Sequence, residues 1–292
     1  MKPIDVVIMA AGKGTRMKSS IPKVLHRLAN KALLQHVLDT ARSLNVRSSV
    51  LVTGHGADQV RAAMAHESSL ESVLQQPQLG TGHAVQQAMP VLADDGLTLV
   101  LSGDVPLTQV ATLQALIEAS EGRHLTLLTL DTPQPTGYGR IVRNAQHTVQ
   151  AIVEEKDASP DQRANTEIYT GVLVAPTADL RRWLSKLDDH NAQKEFYLTD
   201  VVKHAVAEGA SVRTHTTKNA WEVAGVNSPA QLAELERIHQ RHVAQALLDQ
   251  GVRLADPHRL DVRGELLCAS DVWIDVNCVF EGQVELGQGV SI

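Results

Sequence analysis

Aromatic residues, cysteines and long apolar runs are all scarce in this chain of 292 residues. With aromatic residues at only 3%, a hydrophobic core has to be built from Leu, Val, Ile and Ala. The two cysteines, Cys268 and Cys278, cannot supply a disulfide framework or a Cys-rich metal site, so a reducing cytoplasm is the expected compartment. No stretch approaches a membrane span in length, and the N-terminal apolar run carries Asp5, which argues against a signal peptide.

The charge pattern also excludes a class of partner. The net charge is -6 and no block of Lys and Arg occurs, so we expect neither nucleic acid nor a membrane as a partner. Small anionic substrates are still compatible with this charge, because a few local cations decide such sites. The hydrophobic content of 43% is enough for a real core, and the length fits about two domains.

Short apolar runs alternate with helical periodicity over the first part of the chain. The pattern predicts strands at 6–9, 50–52, 73–74 and 97–101, and helices at 32–44, 57–64 and 81–92. From about residue 125 the strand-like runs at 125–130, 140–143, 151–154 and 168–175 lack long helices between them, which indicates a substrate-facing extension. We therefore predict a Rossmann-like, three-layer α/β domain with a mostly parallel sheet over residues 1–227.

A long helical segment follows and looks like a connector between domains. Ser228 suits the N-cap, Pro229 suits the first helical position, and Gly251 ends the pattern. We predict a helical linker at residues 228–251.

The last part of the chain carries a six-residue repeat. Apolar residues recur at Ile274, Phe280, Leu286 and Ile292, and a second series follows at Cys278, Val284 and Val290. A left-handed parallel β-helix has this period, whereas an edge hairpin with chance alternation is the alternative. We predict the first coils of a β-helix at residues 252–292. Because the pattern still runs at Ile292, we expect a truncated β-helix with weak or absent self-association.

The strongest chemical signal is the small-residue loop that follows the first predicted strand. It reads Ala-Ala-Gly-Lys-Gly-Thr-Arg-Met from Ala10 to Met17, followed by Pro22 and Lys23. Small residues let backbone N–H groups approach phosphate, and Arg16 and Lys23 can neutralise its charge. The glycine spacing does not fit a Walker A loop, and Met17 occupies the position where a dinucleotide fingerprint needs glycine.

These motifs resemble those of the sugar-nucleotide pyrophosphorylases. Most closely they are similar to the bacterial bifunctional N-acetylglucosamine-1-phosphate uridyltransferase / glucosamine-1-phosphate acetyltransferase family, the GlmU family. The similarity continues along the chain in the motifs L-G-T-G-H-A from Leu79, G-D-V-P-L from Gly103, G-Y-G-R-I from Gly137, I-V-E from Ile152, T-G at Thr170 and G-V-N from Gly225.

The resemblance implies a set of site residues. Lys23 and Arg16 would be catalytic, and Asp104 and Asn227 would hold Mg²⁺. Gln75, whose amide can pair with uracil, would bind the uridine moiety, and Glu154 and Gly139 would surround the sugar. The full expected substrate-binding set is Met9, Ala10, Ala11, Gly12, Lys23, Gln75, Gly80, Thr81, Ser102, Gly103, Asp104, Gly139, Glu154, Tyr169 and Asn227.

The implied reaction converts UTP and N-acetylglucosamine 1-phosphate to UDP-N-acetylglucosamine and pyrophosphate, for cell-wall and lipopolysaccharide precursors. Full-length members are expected to form homotrimers and to carry the acetyltransferase in a β-helix, so we predict no acetyl transfer by these 292 residues.

Two residues depart from the family pattern: Tyr169 replaces the usual Asn, and Ser102 stands where some members have an aromatic residue. Sugar choice is therefore open, and Gln75 alone cannot reject the methyl group of thymine. The alternatives are a related transferase using TTP or another sugar, a non-catalytic assembly scaffold, and a nicotinamide dehydrogenase already disfavoured by Met17.

Overall fold

The computed structural model describes residues 2–292. The strands are β1 (Ile4–Ala10), β2 (Arg27–Leu28), β3 (Lys31–Ala32), β4 (Ser48–Thr53), β5 (Leu70–Leu74), β6 (Leu97–Ser102), β7 (Leu125–Asp131), β8 (Gly139–Arg143), β9 (Val149–Val153), β10 (Glu167–Pro176), β11 (Val212–Thr217), β12 (Arg253–Leu254), β13 (Leu260–Cys268), β14 (Trp273–Ile274) and β15 (Cys278–Leu286). The α-helices are α1 (Leu33–Arg42), α2 (Ala57–Ala63), α3 (Thr81–Ala88), α4 (Val110–Ala119), α5 (Pro160–Arg163), α6 (Thr177–Leu184), α7 (Val201–Ala207) and α8 (Pro229–Asp249). Short 3₁₀ segments lie at Thr15–Met17, Lys23–Leu25, Met89–Val91, Leu198–Asp200 and Ala220–Val223. Across residues 2–292, no helix combines the length and the apolar character needed to cross a membrane.

A nine-stranded sheet organises the first domain. Seven of its strands follow the order β11-β7-β10-β6-β1-β4-β5, with β8 and β9 attached through β10. Strand β10 is antiparallel to both β6 and β7, while the pairs β1–β4, β1–β6, β4–β5 and β11–β7 are parallel. The predicted α/β class with a largely parallel sheet is confirmed. The segment predicted as an extension from residue 125 instead supplies β7 and β10 to the central sheet.

Helices cover both faces of this sheet. Successive residues of β1 belong to opposite cores: Val7 packs with residues of α3, α6 and α7, whereas Val6 and Ile8 pack with residues of α1, α2 and α4. A strand buried on both sides reads as a continuous apolar run, as β1 does. The three-layer arrangement follows directly.

Helix α8 connects the sheet domain to the C-terminal strands. The Ser228 side chain caps it by accepting a hydrogen bond from the backbone amide of Gln231, and Pro229 is its first residue, as predicted. Its first half packs through Leu235 against the sheet domain, and its second half packs through Leu247 against the C-terminal core. The division of the chain at 227/228 and 251/252 stays a prediction.

The C-terminal strands form parallel coils. In the pair β13–β15, Leu260 lies beside Cys278 and Cys268 beside Leu286, an offset of 18 residues. Three faces of six residues make one such coil, which is why the sequence repeats every six residues. The start of a β-helix is confirmed, and its left-handedness stays a prediction.

Two histidine rings at the junction of α1 and α8 make this junction sensitive to acid. The ring centroids of His36 and His239 are 5.8 Å apart. Burial lowers the pKa of both histidines, and it lowers that of His239 to about 4. At both rings the positive charge of Lys31 lowers the pKa further, while the negative charge of Glu236 raises it. The negative charge of Asp39 also raises the pKa of His36. Because the pKa values lie below the unfolded value of 6.5, the neutral rings contribute stability that is complete above pH 6.5 and is lost as the pH falls toward 4. We expect the melting temperature to fall across this range.

The variant His239→Leu serves as the comparison, because it fills the same space without titrating. Its melting temperature, followed by calorimetry, should fall less steeply than that of the parent chain between pH 6.5 and pH 4. Parallel curves for the two proteins would contradict the role of His239.

Candidate active site

The candidate site lies where the strand order of the sheet reverses. Strand β1 pairs with β4 on one side and β6 on the other, and ligands of open α/β sheets bind at the carboxyl ends of such strands. A cavity of about 420 Å³ opens there. Among its lining are ten residues of the predicted set, namely Met9, Ala10, Ala11, Gly12, Lys23, Gln75, Gly80, Thr81, Ser102 and Asp104.

The small-residue loop brings Lys23 to this cavity. Gly14 has a φ of 59°, and a Cβ atom on it would lie 2.7 Å from the Cβ of Lys23. Glycine at this position therefore lets the loop fold back closely over Lys23, whose side chain is only 15% exposed. Lys13 also lines the cavity, so the loop presents two cations to a ligand.

Lys23 joins the two residues predicted to hold a metal. Its Nζ donates to the carboxylate of Asp104 and to Asn227 Oδ1, the latter at 3.0 Å. Asp104 follows the end of β6, and Asn227 precedes α8. A hydrogen bond of 2.9 Å from the Val226 amide to the Asp104 carbonyl ties their two loops together. Two oxygen ligands from distant parts of the chain thus converge on one cation.

The Gln75 amide reaches the same cavity from the end of β5. The residue is 2% exposed, and its Nε2 lies 2.9 Å from the Gly80 carbonyl and 3.2 Å from Nδ1 of His83. In the structure, the amide nitrogen already contacts two protein groups, the Gly80 carbonyl and a ring nitrogen of His83. Within residues 2–292, no hydrogen bond reaches the Gln75 Oε1 atom.

A second, smaller cavity of about 180 Å³ adjoins the first and shares Met9, Thr81 and Ser102 with it. Here the structure brings together three residues predicted to surround the sugar, namely Gly139, Glu154 and Tyr169. Thr199 donates a hydrogen bond of 3.0 Å to Glu154 Oε1. Burial raises the pKa of the Glu154 carboxyl, while the Thr199 bond opposes this shift. The two cavities together form one continuous candidate site.

Tyr169 has an unusual environment in this smaller cavity. The residue is only 6% exposed, and its hydroxyl has no hydrogen-bond partner among residues 2–292. Burial, reinforced by the charge of Glu154, raises the pKa of the phenol, so the hydroxyl keeps its proton at neutral pH. A buried hydroxyl without a partner destabilises a protein unless a ligand satisfies it.

Three predicted residues lie outside the lining of both cavities. Asn227 contacts the site through Lys23, and the Gly103 amide donates to the Met9 carbonyl at 2.9 Å. Arg16 is exposed in its 3₁₀ segment, and it contacts no carboxylate in the part of the chain that the structure describes. Its predicted catalytic role stays a prediction.

The loop around residues 195–199 is a contributor that the sequence did not reveal. The Phe196 amide donates to the Leu79 carbonyl at 2.7 Å, and the Leu198 amide donates to Thr81 Oγ1 at 3.0 Å. These bonds bring Glu195 to the larger cavity and Thr199 to the smaller one. No local pattern marks this loop.

Comparisons with known proteins agree with this geometry. The model of the MobA-like NTP transferase domain matches residues 6–256. The chain is 63% identical over 291 residues to the bifunctional protein GlmU of Polaromonas naphthalenivorans, covering 97% of this chain and 62% of the relative. It is 58% identical over 306 residues to GlmU of Acidovorax sp. strain JS42, covering 100% and 64%. It is 57% identical over 290 residues to GlmU of Thiobacillus denitrificans, covering 99% and 63%.

The chain therefore spans less than two thirds of the length of these relatives. The match to the transferase domain begins inside β1 and covers the rest of the sheet, α8 and β12, and so includes every predicted site residue. The chain belongs to the MobA-like NTP transferase domain family.

Proposed function

We propose that this chain is a Mg²⁺-dependent uridyltransferase that forms UDP-N-acetylglucosamine and pyrophosphate from UTP and N-acetylglucosamine 1-phosphate. The observation that carries the proposal is the convergence of Asp104 and Asn227 on the Lys23 ammonium beside the larger cavity. The similarity to proteins named GlmU supports the choice of reaction.

The residues present fit a magnesium ion. A carboxylate oxygen of Asp104 and Oδ1 of Asn227 already lie within hydrogen-bond distance of one cationic atom. Mg²⁺ prefers oxygen ligands, and one or two protein groups with water and substrate phosphates complete its shell. Within residues 2–292 no group of three or more His, Cys, Asp or Glu side chains is placed to hold a metal. The pair proposed here is of another kind, because it combines a single carboxylate, Asp104, with the side-chain amide of Asn227. When bound, Mg²⁺ would neutralise phosphate charge.

The reaction needs positioning and charge stabilisation more than proton transfer. A phosphate oxygen of the sugar 1-phosphate forms a bond to the α-phosphorus of UTP, and the bond from that phosphorus to the bridging oxygen of pyrophosphate breaks. The attacking oxygen is already ionised, so no general base is required. Lys23 would stabilise the charge on the reacting phosphates, with Arg16 and Lys13 near the leaving pyrophosphate.

The two cavities divide the substrates between them. Gln75 would face the uracil from the larger cavity, where Ala10, Ala11, Gly12, Gly80 and Thr81 would surround the uridine moiety. Glu154, whose carboxylate suits the hydroxyl donors of a sugar, would hold the sugar in the smaller cavity together with Gly139 and Tyr169.

A pyrophosphate-release assay tests the proposal directly. We expect release with UTP, N-acetylglucosamine 1-phosphate and Mg²⁺, and none when the metal is chelated. Glucose 1-phosphate and TTP serve as competing substrates, because Gln75 cannot reject the methyl group of thymine. A preference for TTP would identify a related transferase instead, and no release with any pair would contradict the proposed reaction.

Removing the Tyr169 hydroxyl is expected to have opposite effects on stability and on sugar binding. Tyr169→Phe deletes a buried hydroxyl that has no partner, so the free protein should gain stability, up to about 1–3 kcal/mol. The KM for the sugar 1-phosphate should rise, and the KM for UTP should stay constant. Thermal unfolding without substrate and steady-state kinetics measure the two effects.

Tyr169→Asn is the companion variant, because it restores the residue usual in the family. We expect it to change the ratio of kcat/KM between N-acetylglucosamine 1-phosphate and glucose 1-phosphate. A Tyr169→Phe protein with an unchanged KM for the sugar 1-phosphate would rule out a substrate role for the hydroxyl.

We also propose a use for the product and a cell compartment for the reaction. The product would serve cell-wall and lipopolysaccharide synthesis, and the two free cysteines agree with a reducing cytoplasm. Trimer formation and acetyl transfer through a longer β-helix stay predictions.

A further inference from the structure

His83 lies next to the proposed base-binding amide but outside the lining of either cavity. It occupies the first turn of α3, where its half-buried ring packs near Phe196 with ring centroids 6.2 Å apart. Its Nδ1 is 3.2 Å from Nε2 of Gln75. Nothing in the proposed reaction uses this ring, so its contact with Gln75 needs its own explanation.

The Gly80 carbonyl determines which way the Gln75 amide points. A backbone carbonyl oxygen can only accept a hydrogen bond, and it lies 2.9 Å from the Gln75 nitrogen. Rotating the amide by half a turn would place Gln75 Oε1 against the Gly80 oxygen, with two acceptors in contact. The nitrogen therefore faces Gly80 and His83, and Oε1 is the free end.

The orientation of the amide in turn determines the state of His83. The amide nitrogen of Gln75 carries two hydrogens and cannot accept, so Nδ1 of His83 has to be the acceptor and carries no proton. The imidazole is then neutral, with its proton on Nε2. Burial lowers the pKa of His83 despite an opposing hydrogen bond to the Pro77 carbonyl, which favours this neutral form.

We propose that His83 is a positioning residue that holds the Gln75 amide with only its carbonyl oxygen facing the nucleobase, and so selects uracil over cytosine. This inference rests on the proposed use of UTP. Uracil presents an N3–H donor that suits the free Oε1 atom, whereas cytosine presents an unprotonated N3 that would oppose it. Both hydrogens of the amide are occupied by Gly80 and His83, so no donor is left to bind cytosine.

A pair of variants separates the hydrogen bond from the packing of the ring. His83→Leu fills the space and removes the acceptor, while His83→Asn keeps a side-chain oxygen close to the position of Nδ1. Calorimetric titration with UTP and with CTP, with Mg²⁺ present, gives the two dissociation constants for each protein. We expect His83→Leu to reduce the preference for UTP by about 3–10-fold, the range of one neutral hydrogen bond, and His83→Asn to restore it.

A double-mutant cycle shows whether His83 acts through Gln75. In a Gln75→Ala background, His83→Leu should cause no further change in the ratio of the two dissociation constants. An equal loss of preference with and without Gln75 would overturn the inference, as would equal binding of UTP and CTP by the parent chain. These binding measurements need no turnover, so they stay informative if the sugar substrate proposed above is wrong.

The tautomer of His83 can be measured without any nucleotide. Nitrogen NMR of the labelled ring should show Nδ1 unprotonated and the proton on Nε2 at neutral pH. A proton on Nδ1 would place two donors against each other at Gln75 and would overturn the inference regardless of the reaction that the chain catalyses.

Discussion

Replacing Lys23 with alanine is expected to slow nucleotidyl transfer by about 10²–10³-fold, equivalent to about 2.7–4 kcal/mol of barrier. Lys23 is the cation that contacts both Asp104 and Asn227, and the close approach of Gly14 holds its stem against the loop. A preorganised charge at this position would act where negative charge accumulates on the reacting phosphates. The loss should therefore fall mainly on kcat, with a smaller change in the KM for UTP.

Rapid-quench measurement of product formation with saturating UTP and sugar 1-phosphate tests this expectation. Lys218→Ala is the matched control, because Lys218 is an exposed lysine away from both cavities. Lys23→Ala also leaves the Asp104 carboxylate without its ion-pair partner, so a melting curve has to show that the Lys23→Ala protein is folded. Near-normal turnover by a folded Lys23→Ala protein would refute the assignment.

The elements with local signals could be predicted from the sequence. The buried run of β1, the cap of α8 by Ser228 and the six-residue repeat each depend on neighbouring residues alone. The direction of β10 could not be predicted, because the register that makes it antiparallel to β6 and β7 is a tertiary property. An apolar strand buried on both faces has the same sequence pattern in either direction.

Only part of the candidate site could likewise be predicted from the sequence. The loop from Ala10 to Lys23 is contiguous, so its residue types alone indicated a phosphate site. Lys23 and its partners are 81 and 204 residues apart in the chain, and only the resemblance to a family connected them before the structure did. Thr199 donates to Glu154, and its loop is held beside the start of α3 by hydrogen bonds from the backbone amides of Phe196 and Leu198. A single sequence contains no record of such contacts.

Replacing Asp104 with asparagine is expected to weaken the response to Mg²⁺ more than any other single change in the site. The variant keeps the shape and one acceptor oxygen but removes the only carboxylate among the two proposed ligands, Asp104 and Asn227. It also removes the charge partner of Lys23. We expect turnover at a fixed low Mg²⁺ concentration to fall by about 10²–10³-fold, the range found when one electrostatic group is lost, and to recover partly at high Mg²⁺.

A charge exchange between the two ligand positions provides the control. The double variant Asp104→Asn/Asn227→Asp has the same donor set as the parent, one carboxylate and one amide. The two side chains meet at one atom, Nζ of Lys23, and aspartate and asparagine have nearly the same size, so the exchange adds no bulk at the site. If the pair binds Mg²⁺, the double variant should need less Mg²⁺ for half-maximal turnover than Asp104→Asn alone. Binding of Mn²⁺ followed by electron paramagnetic resonance should recover in parallel, because it depends on the ligands and not on turnover. A Mg²⁺ response in Asp104→Asn equal to that of the parent chain would show that Asp104 pairs with Lys23 alone and binds no metal.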